Sequence, residues 1–73
     1  MGMGVKVKML LAARGMTLKE LGERLEKPTS GQNIGRKINN DNLSEKDLNE
    51  IAKACGATFF GGFILNDTGI EIR

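Results

Sequence analysis

Apolar residues recur at intervals of three and four through most of this chain, and the interval shortens to two near its end. Val7, Leu10 and Leu11 share one face of a first helix predicted over about Val5 to Arg14, with Gly15 supplying a left-handed stop. Thr17 opens a second helix, and Glu20 three residues on completes a reciprocal cap that satisfies two orphan amides. Leu18, Leu21, Gly22 and Leu25 form its inner stripe. A glycine within a helix costs roughly 1 kcal/mol against alanine, so Gly22 marks a place where two helices approach closely. Pro28 ends this helix by excluding Lys27 from the helical conformation.

A third helix begins at Thr29 or Ser30, either of which can cap it, carries Ile34 and Ile38 one turn apart, and closes at Asn39 and Asn40. The segment NNDNLS is a loop. Ser44 with Asp47 then caps a fourth helix, on which Leu48, Ile51, Ala52 and Cys55 follow the i, i+3, i+4, i+7 rule up to Gly56. Beyond Gly56 the sequence ATFFGGFIL is rich in aromatic and β-branched residues, Asn66-Asp67-Thr68-Gly69 is turn chemistry, and Ile70-Glu71-Ile72 alternates. These predict a β-hairpin over about 57–73, with Gly61-Gly62 as a bend or bulge in its first strand.

The expected fold is mostly α within the α+β class: one domain over residues 1–73, with a helical core at about 5–56 followed by the hairpin. A two-stranded ribbon is marginal alone, so one face should cover the helices. All three aromatic residues lie in it. Either they complete the core of a monomer, or Phe59, Phe60, Phe63 and Ile64 meet a second copy; the expectation is a homodimer through the hairpin.

Composition narrows the function classes. The chain has 73 residues, 40% apolar and 27% charged, as in a folded globular protein. A domain so small buries only about 60% of the surface its unfolded chain exposes, and oligomerisation is a common remedy. No run approaches a membrane span, and the apolar stretch Met9 to Ala13 is too short for a signal peptide. One cysteine, Cys55, and no histidine exclude an internal disulfide and disfavour a metal site, and a reducing cytoplasm is the natural compartment. Cys55 lies on an apolar stripe with no histidine to activate it, and the carboxylates fall on helix faces and in turns, so no catalytic constellation, cofactor or small-molecule ligand is expected.

The net charge of +2 conceals an asymmetry. Residues 1–40 hold eight cations against three anions, and residues 41–73 hold three against six. A polyanion would be drawn to the first half, although lysines that merely solvate helix faces give the same count. Within that half the third helix leaves Gln32, Asn33, Arg36, Lys37 and Asn39 facing out, side chains able to read base edges and hold phosphates.

The arrangement of the first helix, Gly15-Met16-Thr17, the ELGERL helix, the NIGRKINN helix and the SEKDLNEIAKACG helix resembles the Cro and repressor-like helix-turn-helix proteins, the XRE family, over roughly Val5 to Gly56. Small prophage-type members with a hairpin after the fourth helix extend the likeness to the tail. The resemblance implies a four- or five-helix repressor-like core and a recognition helix over Thr29 to Asn39 lying in the major groove. It implies sequence-specific binding of double-stranded DNA as a transcriptional regulator. Aligned on Ile34, it places Gly31 and Gln32 at base-contacting positions, followed by Asn33, with Gly35 and Arg36 on the next turn and Asn39 at a phosphate position. Amides at the start of that helix, from Thr29 and Ser30 onward, can hold a phosphate as well, and Lys37 and Asn40 complete the DNA-facing set.

The sequence departs from that pattern at Leu18, where a phosphate-gripping glutamine is common, and at Gly22, a tolerable replacement for alanine. It departs again around Glu26 and Lys27, where the turn glycine is absent and the path to Ile34 is two residues longer. These departures, with the apolar hairpin, keep open an alternative: a protein-interaction or adaptor module that retained such a fold with little DNA binding. Single-stranded RNA is a third option, disfavoured by the absence of Tyr and Trp.

Overall fold

A computed structural model describes residues 2–73. Four helices, α1 (Met3–Arg14), α2 (Leu18–Arg24), α3 (Gly31–Asn39) and α4 (Glu45–Ala54), precede a small antiparallel sheet of β1 (Ala57–Phe59), β2 (Phe63–Leu65) and β3 (Glu71–Ile72). The α+β class expected from the sequence is the observed one.

Local chemistry accounts for most helix ends. Thr17 with Glu20 and Ser44 with Asp47 form complete capping boxes at α2 and α4, and the Ser30 hydroxyl, rather than that of Thr29, accepts the Asn33 amide to cap α3. Gly15 stops α1 in the left-handed conformation. The end of α2 differs from expectation. Leu25 is already extended, three residues before Pro28, and the Thr29 N–H donates to the Gly22 carbonyl at 3.0 Å. The chain folds back across α2 and satisfies one of its terminal carbonyls, which stops the helix before proline can act.

The C-terminal segment also differs from a simple hairpin. What the alternation suggested as one strand over 57–65 is two, because the chain reverses at Phe60-Gly61-Gly62. Gly61 takes φ 97°, a conformation that side chains disfavour, and the Phe60 amide donates to the Gly62 carbonyl at 3.0 Å. Strand order is β1-β2-β3, with Phe59 opposite Phe63 and Phe63 opposite Ile72. The predicted Asn66–Gly69 turn joins β2 to β3.

Val7, Leu10, Leu21, Ile38, Ile51 and Phe63 are the most deeply buried side chains, so the core draws on every helix and on the middle strand. The ends of α1 are fastened to distant segments. At its start the Gly4 amide donates to Asp41 Oδ1 at 2.9 Å, a cap supplied from the α3–α4 loop. Asp41 sits at φ 53°, where glycine is usual, while the Asn42 and Asp41 amides close the end of α3 on Lys37 and Ile38. At the other end the Arg14 guanidinium donates to the carbonyls of Cys55 and Gly56 and to Asp67.

Candidate nucleic-acid interface

Helix α3 lies against α1 and α2. Ile34 and Ile38 are buried on its inner face, which rotates Gln32, Arg36 and Asn39 outward. The contact with α2 is made almost backbone to backbone. A β-carbon at Gly31 would stand 3.1 Å from the Lys19 nitrogen, one at Gly35 would stand 3.0 Å from Leu18 Cδ1, and one at Gly22 would run into the Thr29 carbonyl oxygen. The close approach expected at Gly22 is therefore real, but it is made to the connecting chain rather than to another helix. An alanine there would have to displace the Thr29 carbonyl.

An open groove of about 630 Å³ runs along α3, lined by Leu18, Gly31, Gln32, Gly35, Arg36, Asn39 and Asn40. Six of the ten residues expected to face DNA lie in it. Gly35 contributes no side chain and is buried, and Leu18 Cδ1 fills the place beside it. Leu18, assigned to the inner stripe of α2, is instead 36% exposed and forms the apolar lip of this groove.

Thr29, Asn33 and Lys37 turn the other way, toward a second groove of about 510 Å³ between α3 and α4. Asn33 Nδ2 donates to Thr29 Oγ1 at 3.2 Å, and Lys37 Nζ lies 3.7 Å from Asp47 Oδ1. Burial opposes the charged form of Asp47, but the Ser44 amide and hydroxyl together with Lys37 outweigh it and hold this carboxyl below its usual range. Ser30 is occupied in capping. Among the described residues the ion pairs involve Arg14, Lys37 and Arg73, which leaves the Arg36 guanidinium without a carboxylate partner. Arg14, counted with the basic half, is neutralised by Asp67 and does not contribute to this face.

The four residues assigned to a dimer contact separate. Phe63 is wholly buried in the chain's own core and offers no surface to a partner, a correction to the expected set. The cause is the reversal at Gly61, which makes its strand the middle one. Phe59 is half-buried against Phe63, their ring centroids 5.6 Å apart, and Ile64 is half-buried on the outer face. Phe60, at the turn, is 52% exposed.

Cys55 caps the end of α4 and is buried; burial pushes its thiol up, away from the reactive thiolate. Among the described residues no helix is long and apolar enough to cross a membrane, and no group of three or more Cys, Asp or Glu side chains could hold a metal ion. Comparison with protein-family models, curated proteins and solved structures gave no match for this chain.

Proposed function

We propose that this protein is a helix-turn-helix transcriptional regulator that binds double-stranded DNA sequence-specifically, with α3 in the major groove. The observation that carries the reading is the wall formed by Gln32, Arg36 and Asn39 along one open groove, on a helix braced from behind by α1 and α2. A major groove about 12 Å wide admits one helix. Gln32 can pair bidentately with adenine and Arg36 with guanine, while Asn39 can hold a phosphate. The longest dimension of the chain is 29 Å, and half-sites one helical turn apart are about 34 Å from centre to centre. A palindromic site therefore needs two copies, and the exposed ring of Phe60 supports a homodimer.

The test is a fluorescence-anisotropy titration of duplexes selected from a randomised 30-base-pair pool, at two salt concentrations. Convergence on a palindrome, with affinity falling steeply as salt rises, is the expected result. Absence of binding at low salt would refute the reading. A second reading, a protein-interaction module, draws on the exposed Phe60 and on Leu18 at the position of a phosphate-gripping residue. It predicts a complex sensitive to Phe60→Ala and indifferent to salt.

A further inference from the structure

The groove along α3 has a floor of bare backbone and one apolar wall. Gly31 and Gly35 carry no side chains, which lets α2 close on α3: the Lys19 backbone lies against Gly31, and Leu18 Cδ1 stands 3.0 Å from the point a β-carbon on Gly35 would occupy. Among the described residues Leu18 is the one apolar side chain lining this groove, and it remains 36% exposed. The polar groups of Gln32 and Arg36 line the same groove. A phosphate placed against Leu18 would lose water without gaining a donor. The apolar group that duplex DNA offers in its major groove is the C5-methyl of thymine.

We propose that Leu18 is a specificity-determining residue whose part-exposed side chain, seated over Gly35, receives a thymine methyl. The inference rests on the DNA-binding reading above. Gln32 reads the adenine edge of an A·T pair, and Leu18 takes the methyl of the thymine in that pair or the next. The helix thus recovers, from its neighbour, an apolar contact that its own glycines cannot make.

The test uses the full chain and the duplex enriched from the 30-base-pair pool. Each thymine is replaced in turn by deoxyuridine, which lacks only the methyl, and affinity is measured for the unaltered protein and for Leu18→Ala. One thymine per half-site should weaken binding about fourfold on replacement, the weight of one buried methyl-sized group. Leu18→Ala should bind the thymine and deoxyuridine duplexes equally. Indifference of the unaltered protein to every replacement would overturn the role of Leu18 while leaving DNA binding intact, and this arm involves no variant that could misfold. A penalty that persists in Leu18→Ala would also overturn it. Failure of any duplex to enrich would remove the DNA reading and this proposal together.

Discussion

Arg14 and Asp67, 53 residues apart in the chain, are joined by hydrogen bonds of 2.8 and 3.0 Å. The same guanidinium donates to Cys55 and Gly56, so one side chain binds the end of α1 to the end of α4 and to the β2–β3 turn. The Arg14 hydrogen bond is the main reason the Asp67 carboxyl stays below its ordinary value. A carboxyl depressed in the folded state stabilises above its unfolded pKa, and that stability is lost as pH falls through the folded value. Asp67→Asn should melt lower than the unaltered protein at neutral pH, and the two melting curves should converge in acid. A thermal-melt series from neutrality into strong acid checks this; a constant gap would assign the effect to something other than ionisation.

Phe63 and Phe60 should behave oppositely despite their proximity in sequence. Phe63→Ala removes a fully buried ring and should cost about 3–5 kcal/mol in urea denaturation. Phe60→Ala should change stability by less than about 0.5 kcal/mol in dilute protein, where self-association does not contribute.

Gly22→Ala would improve helix propensity in isolation. Here the new methyl meets the Thr29 carbonyl, and the expected result is a loss of about 1–3 kcal/mol from overpacking. A stabilised Gly22→Ala protein would mean that the connection between α2 and α3 yields easily.

Arg36→Ala should leave the melting temperature unchanged, since its guanidinium has no carboxylate partner among the described residues. Affinity for the selected duplex should fall by about 1–3 kcal/mol, with discrimination relaxed at one base pair. A salt series with Lys37→Ala as comparison separates the two side chains, because Lys37 faces Asp47 and should matter less.

The helices were legible because their signals are local. Thr17 with Glu20 and Ser44 with Asp47 are three residues apart, and each pair closes within one turn, whatever surrounds it. Gly61-Gly62 reads as a bend or bulge within one strand, and the full reversal escaped that reading because two glycines permit both and the choice depends on which strand packs on the helices. Leu18 shows the same limit from another side: its spacing matches Leu21 and Leu25, but the glycines opposite it set how far α2 leans over α3. Of the candidate interface, the outward set Gln32, Arg36 and Asn39 followed from Ile34 and Ile38 alone. The turning-away of Asn33 and Lys37 did not, because it required the position of α4.

The cap that Asp41 places on Gly4 spans 37 residues. A first helix finished by its own neighbours could form early and wait for the rest of the chain. Here the opening turn of α1 lacks a side-chain cap at Gly2 and draws its acceptor from a residue that must first adopt a left-handed conformation at the close of α3. The start of the first helix is therefore completed only when the end of the third is in place, and an N-terminal fragment that stops before Asp41 lacks that acceptor.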